Sequence, residues 1–353
     1  MPTKTEALIK QIAIAKKSSI EQLVPVLAGE DNRPLWQKAD EIRKKYCGNE
    51  VHLRGIIEFS NFCRCNCLYC GLRKENKVLP RYRMKPDEIV AIAKDAYQVG
   101  YKTIVLQSGE DPYYTKEVLS YVIRKIKELG EIAVTLSIGE REYQEYAQWK
   151  KDGTDRYLLK HETANSVLYQ KLHPHSSLEK RIECLRWLKN LGYQTGSGFM
   201  VGLPGQSLET IAQDLLLLKE LDVEMAGIGP FIPHPQTPLG QETARTDSSL
   251  LTLKAVALTR IILKRTHLPT TTALEVATKT NAFSAGANVI MRKVEPLSYR
   301  QLYEIYPQAF DEEKTLAQER KTVEEYIRSF GRTVSTTKGD AIKIEQQKYE
   351  EAD

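Results

Sequence analysis

Residues 51–71 read VHLRGIIEFSNFCRCNCLYCG. An apolar, β-branched run from Val51 to Ser60 ends abruptly in a loop that holds four of the chain's six cysteines, Cys63, Cys65, Cys67 and Cys70. A strand that runs straight into a polar, reactive loop reads as the start of a βα unit, because parallel sheets collect their chemistry at the C-terminal ends of the strands. Outward from this stretch the same rhythm repeats: short apolar runs alternate with longer amphipathic ones.

Further strands are expected at 102–108, 131–137, 155–162, 193–202, 224–232, 268–274 and 287–291. Helical segments such as PDEIVAIAKDAYQVG, TKEVLSYVIRKIKELG, SLEKRIECLRWLKNLG and SLETIAQDLLLLKELD lie between them, and three of these four end in Gly, a common helix C-terminus. Eight strands in one α/β run, with no Gly-, Ser- or Pro-rich linker, predict a single (βα)8 TIM-like barrel over 49–292. Ahead of it, residues 1–48 read as a helical segment, with Leu35, Ala39, Ile42 and Tyr46 at helical spacing and Ser18 and Glu21 as a capping box. Behind it, residues 293–353 read as a C-terminal cap with one helix near 312–330 and a polar, loosely ordered tail.

The 353 residues are 41% hydrophobic and 27% charged, the balance of a globular chain. Basic (51) and acidic (46) residues are mixed, with a net charge of +5 and no long single-sign block, which argues against nucleic acid as the ligand. No secretory leader and no membrane-length apolar run is present, so a cytoplasmic protein with no membrane partner is expected. In a reducing compartment clustered cysteines are metal ligands or redox groups more often than disulfides.

Cys63, Cys67 and Cys70 form C-x3-C-x2-C. Three thiolates from one loop suit three irons of a cubane 4Fe-4S cluster and leave the fourth iron open to another ligand. A zinc site built from all four cysteines is the competing reading, although zinc sites usually take paired ligands from separate knuckles. Cys65 is expected to point away from the cluster as a spare thiol, and Cys47 and Cys184 to pack as core residues. At the other strand ends stand Gln107, Ser108, Gly109, Glu110 and Asp111, then Ser137, then His161 and Glu162.

With Tyr69 the loop becomes C-x3-C-x-Y-C, which resembles the signature of the radical S-adenosylmethionine (SAM) enzymes. The resemblance implies a 4Fe-4S cluster on Cys63, Cys67 and Cys70, SAM on its open iron, and one-electron cleavage of SAM to a 5'-deoxyadenosyl radical. QSGEDPYY (107–114) resembles that superfamily's Gly-Gly-Glu-type motif, with Ser108 in place of the first glycine, and implies SAM contacts from Gln107, Ser108, Gly109 and Glu110. Glu162 and Arg181 are then typed for ribose or ammonium and for carboxylate, and the glycines of VGLPGQS (201–207) permit close approach of an adenine-sized group.

Longer strings narrow the resemblance: RYRM (81–84), TIVLQSGEDPYY, RYLLKHETAN, MVGLPGQ, GIGPFIPHPQTPL, SAGANVIM and YRQLYEIYP. Over roughly residues 35–310 they resemble the HydE family, the radical SAM maturases of FeFe-hydrogenase. Biotin synthase and methylornithine synthase (PylB) share the cysteine loop but not GIGPFIPHP or YRQLYEIYP. The resemblance implies a small organometallic substrate inside the barrel, a reductant protein and companion hydrogenase maturases. It also implies that Lys160, Thr270 and Thr271 face the substrate and that Tyr303 and Tyr306 line the cavity. Two departures bear on the substrate: Lys160 stands where an Arg is common, and Leu274-Glu275 interrupts the usual sequence after the threonines, placing a carboxylate near the expected cavity wall. Competing functions are a radical SAM enzyme on an organic substrate, PylB-like or biotin-synthase-like, and a non-enzymatic iron-sulfur scaffold.

Overall fold

The Val51–Ser60 run is a strand, β1 (Glu50–Ser60), and lies at the middle of a parallel sheet. The computed structural model describes residues 3–242, 247–277, 282–307 and 314–341. In chain order the sheet continues with β2 (Thr103–Ser108), β3 (Ala133–Ser137), β4 (Arg156–Leu158), β5 (Gln194–Val201), β6 (Met225–Pro230), β7 (Pro269–Thr270) and β8 (Val289–Lys293). Their hydrogen-bonded order is β6-β5-β4-β3-β2-β1-β8-β7, and every pairing is parallel. The remaining seam closes where Met225 bridges His267: Ala226 N donates to His267 O at 3.0 Å and His267 N to Glu224 O at 2.9 Å. The eight expected strands are all present, and the result is a nearly closed barrel.

Parallel strands buried on both faces should be almost uniformly apolar, and β1, β2, β5 and β6 are buried nearly throughout. The outer faces are covered by helices whose apolar residues recur every three or four positions. Pro86–Gln98 buries Ile89, Ile92, Ala93 and Ala96, and Lys116–Lys127 buries Leu119, Val122, Ile123 and Ile126. Each large aliphatic so buried contributes about 1.5–3 kcal/mol. The second helix starts where it does because the Thr115 side chain accepts from Val118 N.

Three local outcomes differ from the expectation. The N-terminal region is three helices, Lys4–Ile14, Ile20–Ala28 and Arg33–Cys47, and the capping box is formed by Ser19 and Gln22 rather than by Ser18 and Glu21. β7 stops at Thr270 because the Thr271 hydroxyl accepts from Leu274 N and starts a helix, Thr272–Ala277. The final segment is not uniformly loose. After the helix Leu316–Ser329, a ninth strand, β9 (Thr333–Val334), pairs with β1, and residues 338–341 close the N-terminal end of the barrel. There the Arg156 guanidinium, 0% exposed, donates to Lys338 O, Gly339 O and Asp340 Oδ1, and Ala341 N donates to Gln194 Oε1. Residues 342–353 lie outside the described residues.

Candidate active site

The cysteine loop leaves β1 at Ser60 and is held from three sides. Arg81 donates to four backbone carbonyls of the loop: Asn61 O, Leu72 O at 2.9 Å, Arg73 O at 2.7 Å and Asn76 O at 3.0 Å. Only a guanidinium presents enough donors in one plane to do this. On a second side Gly109 lies against the loop so closely that a Cβ there would sit 2.3 Å from Phe62 O and 2.7 Å from the Cys63 Cβ. On the third, Gly71 N donates to Ile305 O at 2.9 Å, and a Cβ on Gly71 would lie 2.1 Å from Glu304 O. Glycine is required at both approaches.

Within the loop Cys63, Cys67 and Cys70 are partly exposed and Cys65 is buried. Backbone N–H groups of Cys65 and Glu110 each point at Cys63 Sγ from 3.4 Å. Such donors to a thiolate sulfur are what an iron-sulfur cluster takes from its surroundings. Cys65 is buried beside Cys63, and its nearness holds Cys63 below its ordinary value and pushes Cys65 up. Burial pushes the Cys70 thiol up to about 12. Among the described residues no three His, Cys, Asp or Glu side chains converge on one metal ion. A cubane has no need of such convergence, because each cysteine holds a different iron. The donor set therefore fits a 4Fe-4S cluster.

Beneath the loop the barrel encloses a cavity of about 330 Å³. Its wall brings together Tyr69, Gln107, Ser108, Lys160, Glu162, Arg181, Thr271, Tyr303 and Tyr306 from the sequence-derived set. Three others of that set are placed elsewhere. Thr270 donates to Glu275 Oε1, Gly109 supports the loop, and the Glu110 carboxylate accepts from Glu140 N at 2.9 Å and pairs with Arg64 at 3.2 Å.

Glu162 owes its place to an unusual backbone. Its φ is +63°, one of three non-glycine residues with positive φ among those described. Its N–H donates to Gly198 O at 3.0 Å and its carbonyl accepts from Met200 N at 3.1 Å, so the chain rejoins β5 after β4 has ended. The flanking His161 is fixed by Ser197 at 2.9 Å and faces Asp214 at 3.3 Å. Burial pushes the Glu162 carboxyl up, but Lys160 above all, together with Arg181, outweighs it and holds it below its ordinary value. The carboxylate is thus ionised, with Lys160 Nζ 2.9 Å from Oε2. Arg181 spans the same wall, donating to Lys160 O at 3.2 Å and Tyr169 OH at 3.1 Å and pairing with Glu140 at 2.7 Å.

Tyr69 reaches its position through His173. Burial, and then Arg181, lower that imidazole to about 4, so it is neutral. Its Nδ1 lies 3.1 Å from Tyr169 O, which places the proton there and leaves Nε2 to accept from Tyr69 OH at 2.9 Å. Behind this pair Leu168, Leu172, Met200, Leu203, Phe231 and Leu239 make a small apolar cluster of their own, with Leu68 and Tyr69 packed on it.

Several wall residues escaped the sequence reading: Arg54, Glu58, Thr135, His267 and Lys293. Arg54 and Glu58 alternate with Ile56 along β1 and point inward with it. The signal was there, two charges at even spacing in an apolar strand. Glu58 pairs with Lys293 at 2.7 Å and lies against Glu295, whose carboxyl burial and the neighbouring Glu58 push up to about 8. Glu275 does not reach the cavity wall; it pairs with Arg292 at 2.9 Å, so the added carboxylate is neutralised away from any ligand.

Comparison with known proteins places this geometry. The Radical SAM superfamily model matches residues 57–218. The FeFe hydrogenase maturase subunit HydE of Thermotoga maritima is 57% identical over 279 residues, spanning 78% of this chain and 79% of that protein. The crystal structure of methylornithine synthase (PylB) superposes with a TM-score of 0.79 at 24% identity, covering 93% of this chain and 97% of that one. The maturase HydG from Carboxydothermus hydrogenoformans gives a TM-score of 0.75 at 22% identity, over 94% and 79%. These last two likenesses concern the fold.

Proposed function

The chain belongs to the HydE family of FeFe hydrogenase maturases, within the radical SAM superfamily, and from that premise we propose how its residues divide the work. It is a radical SAM enzyme whose cofactors are a 4Fe-4S cluster and SAM. When bound, the cluster supplies one electron that cleaves SAM to a 5'-deoxyadenosyl radical.

Cys63, Cys67 and Cys70 hold the cluster, and the backbone amides of Cys65 and Glu110 donate to the Cys63 sulfur. Gln107, Ser108, Tyr69, Glu162 and Arg181 bind SAM: Tyr69 from the loop itself, Glu162 as an ionised acceptor for ribose hydroxyls or the ammonium, Arg181 as a carboxylate donor. Gly109 and Glu110 act through the backbone, bringing β2 against the loop. Lys160, Thr271, Tyr303 and Tyr306 face the substrate deeper in the barrel, where the enclosing wall excludes water, while Thr270 orients Glu275 and through it Arg292. The substrate is a small organometallic iron species on the way to the hydrogenase diiron centre, received from a companion maturase. The same reading divides the chain into an N-terminal helical segment (1–48), the barrel (49–292) and a cap with a polar tail (293–353).

One observation carries this reading: Tyr69, between Cys67 and Cys70, lines the same cavity as Glu162 and Arg181, so the thiol loop and a ligand-sized chamber form one site. A pure iron-sulfur carrier has no use for that chamber. Anaerobic reconstitution with iron and sulfide, followed by dithionite and SAM, should yield 5'-deoxyadenosine; its absence sinks the radical assignment. Added to the companion maturases and apo-hydrogenase, the protein should restore hydrogen evolution. A radical SAM enzyme of purely organic metabolism would cleave SAM and leave the hydrogenase inactive.

A further inference from the structure

The cysteine loop lies in the most one-sided charge environment of its region of the chain. Between Phe62 and Lys85 there are seven basic residues, Arg64, Arg73, Lys74, Lys77, Arg81, Arg83 and Lys85, against one acidic residue, Glu75. This short stretch exceeds the +5 net charge of the whole chain. Arg81 is occupied inside the loop, and Arg73 pairs with Glu75 at 3.2 Å. The other basic side chains face solvent: Arg64, Lys74, Lys77, Arg83 and Lys85 are exposed. Arg64 pairs with Glu110 and Arg83 with Asp111, but among the described residues Lys74, Lys77 and Lys85 form no ion pair.

Two apolar side chains are exposed beside these cations, Val78 at 71% and Tyr113 at 53%. The patch is wired to the ligand loop by short contacts. Lys74 N donates to Cys65 O at 2.8 Å, and Arg73 N to Cys70 O at 3.1 Å. The Arg83 guanidinium covers the Phe62 ring at 3.8 Å and lies 4.8 Å from the Tyr113 ring, and Phe62 immediately precedes Cys63. An electron entering through this face has a short route to the cysteines, which matters because electron transfer weakens steeply with distance.

We propose that this face, centred on Lys74, Lys77 and Val78 and flanked by Arg64, Arg83 and Lys85, is the docking surface for an acidic, low-potential one-electron carrier protein. The proposal rests on the radical SAM reading, since only a cluster that must be reduced in each turnover needs such a partner. In the step itself the carrier is oxidised by one electron and the cluster is reduced by one; no bond is made and no proton moves. A basic ring around a small apolar centre steers an acidic partner and sets its orientation, and it speeds encounter more than it strengthens the final complex.

The test uses the reconstituted holoenzyme and a reduced acidic flavodoxin as the probe, reading the initial rate of 5'-deoxyadenosine formation. The double variant Lys74→Glu, Lys77→Glu should be slowed about tenfold or more at low ionic strength, and added salt should slow the wild type toward the variant. With dithionite in place of flavodoxin the two proteins should be equally fast, which separates docking from damage to the cluster. Equal flavodoxin rates at every salt concentration overturn the proposal. So does a comparable loss in a control with Lys10→Glu and Lys321→Glu, two exposed lysines on other helices. Failure of the wild type with dithionite overturns instead the radical reading beneath it.

Discussion

Lys160 Nζ and Glu162 Oε2 lie 2.9 Å apart in the wall of the barrel cavity, two residues apart at a place where the backbone turns through positive φ. The pair determines the charge state of the carboxylate. Glu162 is mostly buried, yet its carboxyl lies below the ordinary 4.5, so its ionised form stabilises the fold above that value and the contribution is lost as pH falls through the lower folded value. Lys160→Met removes the nearest cation and leaves burial to raise the carboxyl. The variant should lose about 1–3 kcal/mol at neutral pH, with the deficit shrinking toward acid, where the carboxyl is protonated. Thermal midpoints of both proteins across pH check this; a deficit independent of pH speaks against it.

Glu295 predicts the opposite slope. It is 0% exposed, both its oxygens lack a hydrogen-bond partner among the described residues, and its carboxyl is raised from 4.5 to about 8 by burial and by Glu58. A raised carboxyl stabilises the fold fully below the unfolded value and loses that contribution as pH rises through the folded one. Urea midpoints of the wild type should therefore fall between pH 4.5 and about 8. Glu295→Gln should flatten this slope and match the wild type best at the acid end.

Arg81 anchors the cluster loop through four carbonyls. Arg81→Ala should cost about 2–4 kcal/mol and lower the iron retained after reconstitution. Arg81→Lys should recover only part of either, since one ammonium cannot reach four carbonyls in a plane. Iron content and the visible absorbance of the cluster read the effect, and full recovery by Lys would refute the role given to the guanidinium.

Serine at Cys63, Cys67 or Cys70 should abolish both the cluster and SAM cleavage. Cys65→Ser and Cys65→Ala should both keep the cluster and SAM cleavage, because what this residue donates to the Cys63 sulfur is its backbone N–H. The alanine variant should hold iron at full stoichiometry with an unchanged cluster potential, measured by redox titration under paramagnetic-resonance detection.

The sequence made the barrel legible because each strand is a short apolar run followed by a helix with its own cap, and both periods persist locally. The three cluster cysteines were legible because they share one loop. What was hidden depends on contacts between distant segments. Nothing near Gln194 announces that Ala341 will bind it, and nothing in Thr270 says that it turns to Glu275 rather than inward. Arg54 and Glu58 were overlooked for a different reason: in an apolar strand attention goes to the apolar positions, whereas period two placed these charges in the cavity.

Gly71 joins two parts of the molecule that the chain keeps more than 200 residues apart: its N–H holds Ile305, next in line to the tyrosines of the cavity wall, and its missing side chain lets Glu304 close in. Ligand loop and substrate wall therefore share one hinge point, and what orders one orders the other. Such linkage is reciprocal by thermodynamic necessity. By whatever factor the assembled cluster tightens the hold of the wall on a substrate, that substrate must tighten the hold of the loop on the cluster equally, so at equilibrium with a chelator an enzyme with substrate bound should retain more iron than one without it.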